Sequence, residues 1–234
     1  TGLYRNCDQS LLREALGSQS FPDVLGDSIT RRLIKDYNTE NQYDIWRKLV
    51  TIVPVNDFRT QERTRYGGYN AEMEAVHLEN ARVLDDAIAA MGWPGRSKIG
   101  DEGAAAAFKI LQHAISRPDL QRRGLDLILE AIPRGDANPL DAAYLSDRIA
   151  MYEGRPQVFG TQFDWDANGQ LSPAPIKDPQ SVDERRAALG LPPMADTIAE
   201  VRANAAAEGG APPADLAQRR AQFEAWTRRV GWRA

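Results

Sequence analysis

The sequence predicts a mainly α-helical protein: a multi-helix domain with one short hairpin or extended loop, preceded by a helical arm and a short strand. Three observations carry this expectation. Apolar residues recur at helical spacing through most of the 234 residues. Prolines and Gly/Pro turns fall at intervals that match helix ends. Strand-like patterning is confined to 49–55 and 157–163.

From Asp8 to about Tyr37, Leu11, Leu12, Ala15 and Leu16, and after Pro22 also Val24, Leu25, Ile29, Leu33 and Ile34, recur as on helices. Two helices broken over Gly17 to Pro22 fit this pattern. The run Leu49 to Val55 reads as a strand, and the alternation of Arg59, Gln61, Arg63 and Arg65 as a polar extended arm. Gly67 and Gly68 then mark a boundary, which divides the chain into an arm over 1–68 and a helical domain over 69–234.

The run Asn70 to Met91 predicts a long helix with polar groups planted in its apolar stripe. At 100° per residue, Met73, His77, Asn80, Leu84, Ala87 and Met91 fall within about 40° of one line. His77 and Asn80 therefore point into a core, where an unpaired imidazole or carboxamide costs roughly 1 to 3 kcal/mol. Gly92-Trp93-Pro94-Gly95 ends that helix, and a second begins at about Asp101 with Ala104, Ala107, Phe108, Leu111, Ala114 and Ile115 on its apolar side. His113 lies about 160° from the centre of that stripe, exposed or facing a second layer. Pro118 opens a third helix through Ile132, and Asn138-Pro139 caps a fourth to about Glu153, with Asp147 among Leu140, Ala143, Tyr144 and Met151 on its wheel. Gln157 to Phe163 with the turn Asp166-Ala167-Asn168-Gly169 predicts a hairpin or extended loop. Beyond Pro173, Pro175 and Pro179, Ser181-Val182-Asp183-Glu184 reads as a capping box for a short helix. Helices over about 195–208 and 213–230 close the chain, the last with a stripe of Leu216, Phe223, Trp226 and Val230.

Composition narrows the function classes. A net charge of -4 supplies no basic field for nucleic acid or an anionic membrane surface. No apolar run reaches the roughly 18 residues of a bilayer span, and Thr1 to Ser10 lacks the character of a secretion signal, so a cytoplasmic location is expected. One cysteine, Cys7, and two histidines cannot assemble a zinc cluster, and no dinucleotide or Walker fingerprint occurs, so neither metal nor cofactor is expected. Asp164 to Gly169 copies the first half of a calcium loop, but Pro175 stands where the bidentate Glu belongs, which favours a plain turn. Gly95-Arg96-Ser97-Lys98 before a helix could hold an anion, yet Asp101 and Glu102 already bring negative charge to that end.

The candidate site draws on three helices and the loop after them. His77, Asp147 and His113 are the candidate catalytic residues, and Asn80, Arg148, Gln157, Thr161 and Gln162 the candidate substrate-binding ones. Histidine shuttles protons near neutral pH, a buried Asp orients an imidazole, and Asn, Gln, Thr and Arg fix a polar ligand. The competing reading is a hydrogen-bonded polar core that turns nothing over. Ser97, Ser116, Thr161 and Cys7 are nucleophile candidates, but none lies in a Gly-x-Ser-x-Gly elbow, which favours water-mediated acid/base chemistry.

Two stretches resemble known families. Phe21-Pro22-Asp23-Val24-Leu25-Gly26-Asp27, with Tyr37, Trp46 and Val55-Asn56-Asp57-Phe58-Arg59, resembles the start of a tailed-phage major capsid protein. No shell-forming domain follows it in this sequence, so the resemblance implies ancestry or fusion, with capsid subunits or a second copy of the arm as partners. From Tyr69 to the end the chain resembles a bacterial family of small helical domains with no established function. The residues that carry this are Met73 with His77 and Asn80, Gly92-Trp93-Pro94, Gln112-His113-Ala114, Tyr144-Leu145-Ser146-Asp147-Arg148, Gly160-Thr161-Gln162, Arg185 to Gly190, and Gly231-Trp232-Arg233. Three function classes stay open: a small-molecule enzyme of hydrolase-like chemistry, a non-catalytic binding module, and a phage-associated protein whose arm engages capsid subunits.

Overall fold

The computed structural model describes residues 71 to 234. The helices expected before Tyr37, the strand over 49–55, the polar arm, the boundary at Gly67-Gly68 and the capsid-like stretch all lie outside the described residues. Among those described, the architecture is mainly helical, as the sequence predicts. The helices are α1 (Ala71–Met91), α2 (Arg96–His113), α3 (Pro118–Ala131), α4 (Pro139–Tyr152), α5 (Val182–Ala188), α6 (Met194–Ala207) and α7 (Leu216–Arg229). One antiparallel hairpin, β1 (Phe163–Trp165) and β2 (Leu171–Pro173), interrupts them. No described helix is long and apolar enough to cross a membrane. The described chain divides into two compact units, 71–141 and 142–234, and the division falls within the first turn of α4.

In the first unit α1 packs on α2 and α2 on α3. Of the stripe expected on α1, His77, Asn80, Leu84, Ala87 and Met91 are buried, joined by Ala81 and Ile88, and Met73 is half-buried. Gly92, at φ +71, ends the helix, and the Lys98 ammonium donates to the carbonyls of Met91 and Trp93 (3.0 Å for the latter), a cation placed at the negative end of a helix. The second helix starts one turn before the expected Asp101. Asp136 Oδ1 accepts from the Ser97 N–H at 2.6 Å, which satisfies the early start, while Gly100 at φ 73, ψ 174 breaks the helix where the sequence puts its beginning. The anion position weighed at Ser97 is thus taken by Asp136. Gly124 lets α3 approach α2 closely, since a Cβ there would lie 2.5 Å from Leu111 Cδ2. Pro118 opens α3, and Asn138 Oδ1 accepts from the Leu140 N–H at 3.0 Å at the start of α4, both as expected.

In the second unit the hairpin pairs Phe163 with Pro173, Asp164 with Ser172 and Trp165 with Leu171. Its turn is organised by the Asp166 carboxylate, which accepts from the N–H groups of Asn168 (2.8 Å) and Gln170 (3.0 Å) and from Ser172 Oγ (2.8 Å). That use of the side chain explains the resemblance to half a calcium loop. The expected capping box at Ser181 does not form: the Ser181 side chain makes no cap hydrogen bond, because a 3-10 turn over Pro179–Ser181 leads straight into α5. Asp183 instead accepts from the Met194 N–H at 2.7 Å and ties α5 to the start of α6. Helix α6 packs on β2, where Arg202 donates to the Leu171 carbonyl at 2.9 Å. Helix α7 docks through the expected stripe: Phe223 and Trp226 lie 5.9 and 5.5 Å from the Tyr152 ring, and Trp232 lies 5.2 Å from it. Arg233 caps α4, donating to the carbonyls of Tyr152 (2.7 Å) and Met151 (2.9 Å).

Candidate functional site

Two clusters of polar side chains hold the residues singled out by the sequence, one in each unit. In the first unit the rings of His77 and His113 meet with centroids 5.2 Å apart, tilted by 45°. His77 is 6% exposed, and His113 is half-buried. Of the two placements expected for His113, exposed or facing a second layer, the contact matches the second. Ala106, Ala107, Ile110 and Leu111 are buried on α2, whereas Phe108 and Ala104 are only half-buried, so the stripe is rotated from the position an aromatic-centred wheel assigns. His113 continues the line Ala106, Ile110 at helical spacing and so reaches α1.

Two further side chains extend this cluster. Glu74 precedes His77 by one helical turn, and Ser116, three residues past His113, donates its hydroxyl to Glu74 Oε1 at 2.6 Å. Asn80, one turn after His77, is buried in the same stripe. Gln121 of α3 is fully buried, and its Nε2 donates to the carbonyls of Leu111 (2.8 Å) and Gln112 (3.1 Å), which fixes the last turn of α2 where His113 is carried.

In the second unit Asp147 is wholly buried and its carboxylate is filled by the loop that follows α4. Oδ1 accepts from the N–H groups of Val158 (2.7 Å) and Phe159 (3.1 Å); Oδ2 accepts from those of Phe159 (3.1 Å) and Thr161 (3.0 Å) and from Thr161 Oγ1 (3.0 Å). Burial pushes the Asp147 carboxyl above the usual carboxylate range, and these donors oppose the shift. The carbonyls of the same loop face two arginines. Arg185 donates to the Val158 carbonyl at 2.9 Å; Arg186, 2% exposed, donates to those of Phe159 (2.7 Å) and Pro192 (2.6 Å) and to Thr197 Oγ1 (2.5 Å). Gln157 closes the loop from inside. Its Oε1 accepts from the Gln162 N–H at 2.9 Å, and its Nε2 donates to the carbonyls of Gln162 (3.0 Å) and Ala174 (2.8 Å). Gln162 Nε2 donates to Thr161 Oγ1 at 3.0 Å. Gly160 turns the loop at φ +70, where a Cβ would lie 2.5 Å from Met194 Sδ.

The eight candidate residues thus separate into His77, Asn80 and His113 in the first unit, and Asp147, Arg148, Gln157, Thr161 and Gln162 in the second. Within the latter, Asp147, Gln157, Thr161 and Gln162 share one network. Arg148 instead lies near the Tyr152 phenol, opposing the upward push that burial gives that group. The sequence reading missed Glu74, the loop-holding roles of Arg185 and Arg186, and the bond that gives Ser116 a partner. Arg186 had a usable signal: Val182 and Arg186, four apart on a seven-residue helix, share the buried face. Glu74 had the same signal on α1, three residues before His77.

Among the described residues no group of three or more His, Cys, Asp or Glu side chains is placed to hold a metal ion. The first cluster brings together two imidazoles, a carboxylate and a hydroxyl. In the second, a buried carboxylate and two arginines hold a loop.

Comparison with known proteins gives one finding. No curated protein and no solved structure matches the chain. A family of unknown function, DUF6624, matches residues 64–208, which runs from before α1 to just past the end of α6 and includes both clusters. The chain belongs to that family.

Proposed function

We propose that the protein acts on a small molecule by acid/base chemistry of hydrolase-like form at the His77–His113 pair. The observation that carries this reading is the meeting of the two histidines in the sequence at 5.2 Å, beside the hydrogen-bonded Glu74 and Ser116. Paired imidazoles supply a proton acceptor and a proton donor at neutral pH, and Glu74 and Ser116 order the polar groups around them. Asp147 enters this reading as the residue that shapes the loop over 158–161, since its oxygens are taken up by that loop.

A thermal-shift screen of small polar compounds tests the proposal, because binding to the native state raises apparent stability. The expected result is a compound class that raises the Tm of the wild type and leaves that of His113→Asn unchanged. Equal stabilisation of both proteins by every active compound would move the ligand away from the histidines and overturn the reading. A second reading, binding without turnover, is favoured by the saturation of Asp147, whose carboxylate oxygens are taken up by the loop over 158–161. A compound that stabilises the protein through the histidines and is recovered chemically unchanged would favour it.

A further inference from the structure

Among the described residues of the first unit two carboxamides are buried, and their polar atoms are used differently. Gln121 of α3 commits its Nε2 to the carbonyls of Leu111 (2.8 Å) and Gln112 (3.1 Å), and its Oε1 is sealed from solvent. Asn80 of α1 is 8% exposed, its side chain makes no hydrogen bond with any described residue, and neither of its amide atoms is sealed. The neighbouring helix explains the lack of a partner. Helices α1 and α2 run antiparallel, since Glu74 meets Ser116 and His77 meets His113. Three residues further along α1, that register sets Asn80 level with Ile110, where α2 buries Ala106, Ala107, Ile110 and Leu111. None of these has a polar side chain, and their main-chain N–H groups are used within the helix. A carboxamide buried without a partner costs stability that an apolar side chain in its place would not. A ligand that completes its hydrogen bonds gains the interaction that the protein forgoes.

We propose that Asn80 is the specificity-determining residue of this site and takes the amide edge of a small molecule, a primary carboxamide or a lactam. This rests on the reading of the histidine pair as the site, and it names the class of molecule admitted there. Asn80 offers an acceptor oxygen and a donor nitrogen side by side. A primary carboxamide, or a cis amide held in a ring, presents the complementary pair on one edge, so both bonds form together. A peptide group is trans, with its N–H and C=O on opposite edges, and makes one of the two. A lactone has no N–H and also makes one. Three residues of helix separate Asn80 from His77, a rise of about 4.5 Å. A ligand held by its amide edge at Asn80 therefore reaches the His77 ring within a span of a few bonds.

Titration of the isotope-labelled full chain with pyrrolidinone and propionamide tests this, with γ-butyrolactone and N-methylacetamide as their counterparts lacking the paired edge. NMR reads a Kd for each probe and follows the side-chain amide protons of Asn80, assigned from its backbone. The expected result is that pyrrolidinone and propionamide bind at least about tenfold more tightly than their counterparts, the worth of one of two paired hydrogen bonds, and shift the Asn80 amide protons. In Asn80→Asp, whose carboxylate accepts but does not donate, the preference should vanish. Should that variant not fold, the wild-type preference and the shift at Asn80 decide the question. Equal affinities for paired and unpaired probes, no binding of any probe, or a preference that survives in Asn80→Asp would overturn the proposal. Compounds that bind through His113 whatever their amide edge would sink this inference and leave the histidine reading standing. A lactam preference set by Asn80, with no compound dependent on His113, would keep Asn80 as a binding residue and remove the histidines from the site.

Discussion

The two polar clusters differ in the kinds of group that meet in them. Around Asp147, three backbone N–H groups and one hydroxyl fill both carboxylate oxygens, and the loop's carbonyls are met by Arg185 and Arg186. Around His77 and His113, a ring contact and one carboxylate–hydroxyl bond join side chains whose chemistry is proton transfer. A polar group whose partners are all backbone groups of one loop specifies that loop's shape. Two titratable rings in contact hold a capacity for exchange with something else. Under the proposed function the contrast is between a polar core that maintains structure and a site, and three substitutions probe it.

The largest effect is expected at Asp147. Asp147→Asn replaces an acceptor oxygen by an amide that points donors at donors, leaving at least one buried N–H unpaired and Arg186 without its nearby negative charge. Breaking a buried charged arrangement of this kind costs roughly 3 to 5 kcal/mol, which urea unfolding would read as a marked fall in midpoint. A cost under about 1 kcal/mol would mean that the loop does not depend on the carboxylate, and would return Asp147 to the list of acid/base candidates.

How far these clusters could be read from the sequence depends on where the information lies. Helix starts at Pro118 and Asn138-Pro139 and the turn at Asp166 to Gly169 were legible because capping and turn chemistry are local. The burial of His77, Asn80 and Asp147 was legible because the wheel fixes side-chain direction once the apolar residues are marked. The wheel left two placements open for His113, since it centred the stripe on Phe108 whereas Ala106 and Ile110, outside the expected stripe, are buried. The partners of Arg186 and Lys98 were harder to read, although the spacing of Val182 and Arg186 marked a shared buried face. A long cation read as surface can turn inward when carbonyls at a helix end or loop accept it: that of Phe159, distant in sequence, for Arg186, and those at and just past the end of α1, a few residues back, for Lys98.

Asp141 sharpens the comparison from within the first unit, because it is a half-buried carboxylate without the donors that Asp147 has. Burial raises its carboxyl from 3.8 to about 6, opposed by the charge of Arg96. The folded state therefore holds this proton more tightly than the unfolded chain. The cost of ionising it is absent below about pH 4, grows as pH rises to about 6 and is constant above. Asp141→Asn should remove that cost and stabilise the protein by about 1 to 3 kcal/mol at pH 7, with the gain vanishing near pH 4. Unfolding midpoints of both proteins across this range check the sign as well as the size. A variant less stable than wild type at pH 7 would show that the first-turn position of the carboxylate on α4 outweighs its burial.

The smallest effect is expected at His77, and its smallness is what carries meaning. Were His77 only a satisfied core residue, its removal would leave a cavity and an orphaned partner, at a cost of roughly 2 to 4 kcal/mol out of a typical stability of 5 to 15. In a site that admits polar ligands, water replaces the lost ring atoms, and an Asn side chain retains a donor and an acceptor beside Asn80. The contact with the His113 ring is also lost, worth about 1 kcal/mol for a tilted aromatic pair. Functional positions commonly give up stability for chemistry, so replacing them is often neutral or mildly stabilising. His77→Asn is therefore expected to change unfolding in urea by no more than about 1 kcal/mol, while Asp147→Asn, also a buried polar group exchanged for an amide, costs several times as much. A loss above about 2 kcal/mol at His77 would erase the difference between the two clusters and make both of them structural.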